Sequence, residues 1–341
     1  MLQDEGYTAE MVEPTPPYAL SDAPDSKLAL RVGAVTPQGQ DILAFELARP
    51  DGKPLPSFAA GAHIDVYIRD GLKRQYSLCS APGDRQRYVI AVLKEKNGRG
   101  GSRAMHETLK EGDLVTVSAP RNHFPLAGRE ARFHLLLAGG IGVTPMMAMI
   151  EELEARGAAW QLHYCTRSPE TTAFRDRLAA FIEAGKVILH HDGGDPGRGL
   201  DIKSLLATYD IGTHLYYCGP TGFMSAVKAA TGNWPPHCVH CEYFTAPEDD
   251  GARVNAPFQI KIKQTGEVLE VAADQSIVSV LRANGFAIDT DCEDGYCGTC
   301  LTRYLEGEPE HRDSVLSEAE RKSYVMVCCA RAKKSPLLLD L

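Results

Sequence analysis

The chain has 341 residues, a length that accommodates two or three domains of ordinary size. Its composition, 44% hydrophobic and 24% charged, is typical of globular proteins and argues against a disordered or fibrous chain. Acidic residues outnumber basic residues by 45 to 36 and no basic stripe is visible, which argues against a nucleic-acid-binding protein.

The first 26 residues are predicted to be a disordered acidic tail. They contain six acidic residues and four prolines but no Lys or Arg, and they lack the basic and apolar segments of a signal peptide. We therefore predict a cytoplasmic protein whose ten cysteines are thiols or metal ligands rather than disulfides. The uncharged stretch 133–150 contains Gly and Pro in its middle, which favours a strand, a turn and a helix over a membrane span.

Residues 27–127 predict a small closed antiparallel β-barrel. Short apolar segments rich in β-branched residues alternate there with Gly and Pro turns, and one short helix is expected near 103–110. The predicted strands are 28–35, 42–48, 63–69, 74–79, 87–93 and 114–118.

Residues 128–244 predict a parallel sheet covered by helices, because strand and helix patterns alternate along this stretch. The predicted strands are 134–138, 161–166, 187–191 and 215–218, and the predicted helices are 146–156, 173–184, 202–209 and 223–230. The polar residues 245–256 are predicted to be a linker. In the third domain, residues 257–341, we expect a hairpin of 258–263 with 268–271 and a helix over 276–284.

The most specific motif is Cys292-x4-Cys297-x2-Cys300, with Cys328 following 28 positions later. This spacing matches the thiolates around a plant-type two-iron, two-sulfur cluster. The alternative is a four-cysteine zinc site, but zinc modules usually pair their cysteines in two separate C-x2-C units. The segment 292–300 is called the cysteine loop below.

The fourth thiolate ligand is either Cys328 or its neighbour Cys329. Residues 324–332 read as a strand, in which adjacent side chains point to opposite sides, so only one of the two thiols is expected to face the cluster. The other cysteines, including the unmatched Cys238-x2-Cys241 pair, are interpreted as small buried apolar residues.

Two glycine-containing turns follow predicted strands of the second domain. In the first, Gly139-Gly140-Ile141-Gly142 leads into a helix that Thr144 is predicted to cap and whose first turn suits Pro145. In the second, Cys218-Gly219-Pro220 leads into another helix. Either could be an ordinary turn, but together, at the carboxyl ends of parallel strands, they favour a dinucleotide site.

The predicted barrel contains two further short motifs. Arg74-Gln75-Tyr76-Ser77 places a cation, an aromatic ring and a hydroxyl along one strand. The segment 98–102, Gly-Arg-Gly-Gly-Ser, precedes a short helix and predicts a phosphate cradle. Each motif alone is weak, because both are common by chance.

The order of these motifs identifies a family resemblance. RQYS, GRGGS, PRNHFPL, AGGIGVTP, CGP and a C-terminal plant-type ferredoxin resemble the phthalate dioxygenase reductase and vanillate demethylase reductase family, over residues 28–341. The resemblance implies an FMN-binding antiparallel β-barrel, an α/β Rossmann-like NADH domain and an α+β β-grasp ferredoxin. It also implies a separate Rieske-type oxygenase as partner.

The resemblance further implies roles for individual residues. The catalytic residues would be Ser77, beside the flavin N5, and Cys218, beside the nicotinamide. The flavin and its phosphate would be bound by Arg74, Tyr76, Ser77, Gly100, Gly101 and Ser102. The dinucleotide would be bound by Gly139, Gly140, Gly142, Thr144, Pro145, Arg167, Cys218, Gly219 and Pro220. The cluster ligands would be Cys292, Cys297, Cys300 and Cys328, the last because Cys-x-Ala-Arg-Ala is similar to the family's C-x-S-R-A ending.

Two positions depart from the family pattern. In the segment Thr166-Arg167-Ser168, Ser168 stands where the family pattern has an acidic residue that would select a free ribose 2′-hydroxyl. NADH is predicted from the resemblance, and the missing acid leaves NADPH as the alternative. Cys241 stands where the family has an aromatic residue facing the flavin, so the identity of the residue that covers the flavin here is left open.

The sequence therefore predicts an NADH-dependent oxidoreductase that passes electrons from NADH to FMN, then to the 2Fe-2S cluster and the oxygenase. A flavin is needed between the other two because a hydride carries two electrons and the cluster accepts one. One alternative is the same electron chain serving a diiron monooxygenase, although such reductases commonly carry an N-terminal ferredoxin. The other is a zinc-bearing binding module.

Overall fold

The computed structural model describes residues 27–69, 72–96, 100–128, 130–245, 255–290, 292–316 and 320–341. The predicted tail 1–26, Gly98 and Arg99 of the predicted phosphate cradle, and most of the predicted linker lie outside the described residues. No helix within the described residues has the length and apolar character that a membrane crossing requires.

The first domain is an antiparallel barrel. Its elements are β1 (Leu28–Gly39), β2 (Ile42–Ala48), β3 (Ala62–Arg69), β4 (Leu72–Ser77), β5 (Tyr88–Leu93), α1 (Gly101–Thr108), β6 (Leu114–Val117) and β7 (Arg121–Asn122). The strand order is β4-β3-β6-β1-β2-β5, and a bridge between Leu78 and Ile90 joins the two ends of this order. Alternate strand residues fill the interior, as strand periodicity requires. The two-residue strand β7, which the sequence did not predict, pairs with β3.

The second domain is a five-stranded parallel sheet flanked by helices. Its elements are β8 (Phe133–Gly139), α2 (Val143–Arg156), β9 (Trp160–Thr166), α3 (Arg175–Glu183), β10 (Val187–His191), α4 (Ile202–Leu205), β11 (Thr213–Cys218), α5 (Thr221–Ala230) and β12 (Val239–Glu242). The order β10-β9-β8-β11-β12 means that the chain starts at the centre, builds one side and then crosses to the other. Ligands of such sheets bind at the carboxyl ends of the strands beside this switch point.

The third domain combines a mixed sheet with one helix, in the β-grasp arrangement. Its elements are β13 (Phe258–Ile262), β14 (Val268–Val271), α6 (Ile277–Ala283), β15 (Leu301–Glu310), β16 (Tyr324–Met326) and β17 (Arg331–Leu339). The strand order is β14-β13-β17-β15-β16, with β13 and β17 parallel. Ser276 caps α6 by accepting a hydrogen bond from the Ser279 backbone N–H, and the apolar face of α6 packs into the domain core.

The expected strand over 324–332 is wrong in its middle. β16 ends at Met326, and the backbone N–H groups of Cys329 and Ala330 both donate to the Met326 carbonyl, which makes residues 327–329 a turn. The alternation argument for Cys328 and Cys329 therefore does not apply, because adjacent residues in a turn need not point to opposite sides.

Candidate flavin, nucleotide and iron–sulfur site

The three domains meet around a cavity of about 500 Å³, called the central cavity below. This volume lies within the range of small-molecule sites, roughly 300–1,000 Å³. The barrel contributes Arg74, Tyr76, Ser77, Gly101 and Ser102 to its wall. The second domain contributes Ile141, Thr144 and residues 241–245, and the third contributes Cys292, Tyr296, Cys297, Ser314 and Val315.

The residues that the resemblance assigns to the flavin lie together at this cavity. Arg74 crosses directly over Gly101, where a Cβ atom would lie 2.6 Å from the Arg74 side chain and would force that side chain to move. Gly100 precedes α1 with φ +88°, a left-handed conformation that glycine adopts without strain. The Ser102 hydroxyl accepts a hydrogen bond from the Glu95 backbone N–H at 3.0 Å, which links the residues after β5 to the first turn of α1.

A buried carboxyl group lies at the end of β4, called the flavin strand below because it carries Arg74, Tyr76 and Ser77. The Ser77 hydroxyl donates to Oε2 of Glu242 at 3.1 Å, and Nδ1 of His63 lies 3.9 Å from Oε1. Burial raises the Glu242 pKa to about 8, while the hydrogen bond from Ser77 acts in the opposite direction. Burial also lowers the pKa of His63 well below its usual value, so this pair favours neutral forms. The sequence did not single out Glu242, because β12, which carries it, is short and was not predicted.

The two glycine turns of the second domain press against each other. A side chain at Gly142 would overlap the Cys218 carbonyl oxygen, and a Cβ atom at Gly219 would lie 3.0 Å from the Gly139 Cα atom. These glycines are therefore needed for packing between the turns. Only Gly140 has open space around it, with φ +53°.

The start of α2 differs from the prediction. The helix begins at Val143 with Gly142 as its N-cap residue and has no side-chain cap. The Thr144 hydroxyl donates instead to the Ile141 carbonyl at 2.9 Å, because Thr144 already lies inside the first turn. Pro145 occupies that same turn, as expected.

Of the residues predicted to bind the dinucleotide, only Thr144 lines the central cavity, and Cys218 and Arg167 are among those that do not. Cys218 is fully buried and does not line the central cavity; it lies behind Gly142, and burial raises its thiol pKa. The contact of this thiol with the nicotinamide stays a prediction. Arg167 is exposed after β9, followed by Ser168, whose hydrogen bond to Glu170 lowers the pKa of that carboxyl group.

After Cys241 the wall continues with Glu242, Tyr243 and Phe244. Phe244 packs against the apolar cluster that joins the barrel to the second domain, whereas Tyr243 packs against the cluster on the other side of the sheet. Two aromatic residues, Tyr243 and Phe244, therefore lie close to Cys241, the position at which the family pattern has an aromatic residue.

The four predicted ligand cysteines are all buried and form two pairs. The Cys292 side chain interacts with Cys297, and that of Cys300 interacts with Cys328, which also interacts with Cys329. This pairing fits a two-iron cluster, in which each iron takes two protein thiolates. The Asp294 backbone N–H also donates to the Cys292 sulfur at 3.3 Å, as amides around such clusters do. Among the described residues, no three His, Cys, Asp or Glu side chains converge on one ion position.

The neighbouring Cys329 has different surroundings. Its sulfur lies against Gly295, where a Cβ atom would come within 2.5 Å of it, and it contacts the Met326 carbonyl oxygen at 3.7 Å. Gly295, with φ +77°, thus lets the cysteine loop pass over Cys329.

The cysteine loop contacts the barrel at two adjacent residues. The Gln75 side-chain amide donates to the Thr299 hydroxyl at 3.3 Å. A Cβ atom at Gly298 would lie 2.7 Å from the His123 ring, which in turn stacks on His63 with 5.3 Å between ring centroids. Gln75 and His123 belong to the RQYS and PRNHFPL motifs, but no sequence pattern around them predicted a contact with the third domain.

Comparison with known proteins gives matches over most of the chain. The profile of the 2Fe-2S iron-sulfur cluster binding domain family matches residues 260–333. The chain is 49% identical to the tert-butanol monooxygenase / tert-amyl alcohol desaturase reductase subunit of Aquincola tertiaricarbonis, over 93% of this chain and 97% of that protein. It is 47% identical to the vanillate O-demethylase oxidoreductase of Pseudomonas putida, over 89% of this chain and 96% of that protein.

A solved structure of phthalate dioxygenase reductase, described as modular for electron transfer from pyridine nucleotides to [2Fe-2S], matches with a TM-score of 0.68. Its sequence is 43% identical, and the match covers 93% of this chain and 98% of that chain. These findings set aside the zinc-bearing alternative. The chain belongs to the phthalate dioxygenase reductase and vanillate O-demethylase reductase family, the flavin and iron–sulfur oxidoreductases that serve oxygenase systems.

Proposed function

We propose that this reductase accepts hydride from NADH at an FMN in the central cavity and delivers single electrons through its 2Fe-2S cluster to a separate Rieske-type oxygenase. The observation that carries the proposal is the cavity wall, to which the flavin strand β4, the start of α2 and the cysteine loop all contribute. A bound flavin supplies the conversion of a two-electron donor into single electrons.

On the barrel side, the chain provides binding groups for an FMN. The Arg74 side chain lies against Gly101 at the start of α1, where the first backbone N–H groups of a helix have no partner within the helix, which suits a phosphate group. Tyr76 presents an aromatic ring, and Ser77 is the hydroxyl that we assign beside the flavin N5. Glu242 acts as a positioning residue, because its carboxyl group fixes the direction of the Ser77 hydroxyl.

On the opposite side, the nucleotide-binding wall is formed by Ile141, Thr144 and residues 241–245. This wall stands at the carboxyl ends of parallel strands, where the fold places its ligands. We assign the dinucleotide to the turn at Gly140 and the start of α2. Cys218 supports that turn from behind rather than lining the cavity.

The cluster ligands are proposed to be Cys292, Cys297, Cys300 and Cys328, and the interactions of Cys292 with Cys297 and of Cys300 with Cys328 support this set. The acceptor is proposed to be a separate oxygenase in a transient complex in the cytoplasm, where ten free cysteines are compatible with the reducing environment. The domain limits 27–127, 128–244 and 257–341 belong to the same proposal.

The test is purification of the full chain followed by an absorption spectrum and chromatography of the heat-released flavin. We expect flavin bands over a broad iron–sulfur envelope, recovery of FMN, and bleaching of both by NADH. Cytochrome c reduction then reports electrons leaving through the cluster. Recovery of mainly FAD, or a colourless protein, would contradict the proposal.

A further inference from the structure

We propose that Gln75 and Thr299 form a hydrogen-bonded link through which the barrel domain raises the reduction potential of the iron–sulfur cluster. The inference rests on the proposed function in one respect, since it takes Cys297 as a cluster ligand. It adds a role for a barrel residue that neither binds the cluster nor belongs to its domain.

The link consists of three side chains from two domains. Gln75 lies on β4 between two residues assigned to the flavin, and its Nε2 atom donates to Oγ1 of Thr299 at 3.3 Å. The same Oγ1 atom lies 3.4 Å from the Cys297 sulfur. Gln75 and Cys297 both line the central cavity, so the link runs along its wall.

The direction of these hydrogen bonds follows from the chemistry of the groups. A cysteine that binds iron is a thiolate and has no proton to donate, so the Thr299 hydroxyl must donate to the Cys297 sulfur. The hydroxyl oxygen remains free to accept from an amide, and the Gln75 side chain provides one. The Gln75 amide therefore donates, the Thr299 hydroxyl accepts from it and donates onward, and the Cys297 thiolate accepts.

A hydrogen bond to a ligand sulfur withdraws charge from it and favours the reduced cluster, which raises the reduction potential. Donation from Gln75 polarises the Thr299 hydroxyl and strengthens its bond to sulfur, because hydrogen bonds in a chain reinforce one another. The Gln75 bond exists only where the cysteine loop contacts the barrel. The cluster is thus a better electron acceptor when it lies beside the flavin domain.

The position of Thr299 is fixed by the residue before it. Gly298 has φ +78° and leaves no room for a side chain beneath the His123 ring. This close approach brings the next residue, Thr299, within reach of Gln75.

The experiment measures the midpoint potential of the cluster in the full chain, by redox titration followed with the electron paramagnetic resonance signal of the reduced cluster. Thr299→Val removes the hydroxyl at similar volume, and Thr299→Ser retains it. Gln75→Met removes the amide donor. Gln38→Met is the matched control, because Gln38 donates to the Thr36 hydroxyl at 3.2 Å on the exposed end of β1, away from the cavity.

We expect Thr299→Val to lower the equilibrium constant for cluster reduction about tenfold, which is about 59 mV for a one-electron couple. Gln75→Met should shift the potential in the same direction by less, while Thr299→Ser and Gln38→Met should retain the wild-type value. In the double variant, the shift should equal that of Thr299→Val alone, because Gln75 acts only through Thr299.

A wild-type potential in Gln75→Met overturns the proposal, and so does a double variant in which the two shifts add. Gln75 lies in another domain from the cluster, so its variant decides the question even if Thr299→Val fails to retain iron. If the wild-type protein binds no cluster, the proposed function fails instead, which its absorption spectrum reveals before any titration.

Discussion

The hydroxyl of Ser77 and the carboxyl group of Glu242 form a 3.1 Å hydrogen bond between the barrel and the last strand of the parallel sheet. This bond links the residue assigned beside the flavin to a carboxyl group whose pKa burial raises to about 8. Two domains are therefore joined, at the proposed reaction site, by a group that titrates close to neutral pH.

Glu242 makes the stability of the protein pH-dependent on the alkaline side. Its pKa is higher in the folded protein than in the unfolded chain, so its contribution to stability is fully present below about pH 4.5 and is lost as the pH rises through about 8. We expect Glu242→Gln to keep the bond to Ser77 and to reduce the loss of stability between pH 6 and 9 by about 2 kcal/mol. Denaturant unfolding at both pH values measures this, and equal losses in the two proteins would contradict it.

Replacement of Cys328 and of Cys329 should have sharply different effects. Cys328 interacts with both Cys300 and Cys329, whereas the Cys329 sulfur lies against Gly295. We expect Cys328→Ser to lose its cluster and its cytochrome c reduction while NADH still reduces the flavin. Cys329→Ser should keep its iron. Iron content and visible spectra decide between them, and loss of iron in Cys329→Ser alone would move the ligand by one residue.

Selection of NADH is expected to depend on charge near the end of β9. Glu170, which hydrogen bonds with Ser168, already places one carboxylate there and favours a free 2′-hydroxyl. We expect Ser168→Asp to increase the preference for NADH over NADPH about tenfold in kcat/KM, since a second carboxylate repels the 2′-phosphate. Ser168→Asn, of similar size but uncharged, serves as the control. A wild-type preference for NADPH would instead show that Arg167 binds the phosphate.

Buried histidines should make the protein lose stability in mild acid. Burial lowers the pKa of His123, His163 and His240 to about 4, so each is neutral in the folded protein. Their contribution is present above about pH 6.5 and is lost as the pH falls toward 4. We expect His163→Gln to reduce the loss of unfolding free energy between pH 7 and 5 by about 1 kcal/mol. An unchanged difference between the two pH values would contradict this assignment.

A side chain at Gly298 should separate the cysteine loop from the barrel. Gly298→Ala places a methyl group against the His123 ring, whereas Gly266→Ala carries the same positive-φ strain, at +73°, in open space. We expect both variants to retain the cluster and only Gly298→Ala to slow electron transfer from flavin to cluster, about tenfold. Stopped-flow absorbance after mixing with NADH measures this rate. Equal rates in the two variants would show that the His123 contact does not position the loop.

The barrel and the first four strands of the parallel sheet were predictable because each carries its own apolar pattern. β12 was not, since Val239–Glu242 is only four residues long and contains two charged or polar groups. The choice of Cys328 as the fourth ligand rested on the family ending and stays a prediction, whereas the turn that holds Cys328 contradicted the expected strand. The contact of Gln75 with Thr299 joins residues 224 positions apart, and no local pattern encodes such a distance.

The mutual packing of the two glycine turns has a consequence for protein engineering. The backbone at Gly142 rests directly on that of Cys218 and Gly219, and the Phe223 side chain closes the contact between Gly139 and Gly219, so little space is left to absorb a change. If one turn is replaced by that of a relative with another coenzyme preference, the remaining native turn no longer fits against it, because the two backbones are in direct contact. We expect chimaeras that exchange the segments 139–145 and 218–220 together to fold, and those that exchange either one alone to lose nucleotide binding.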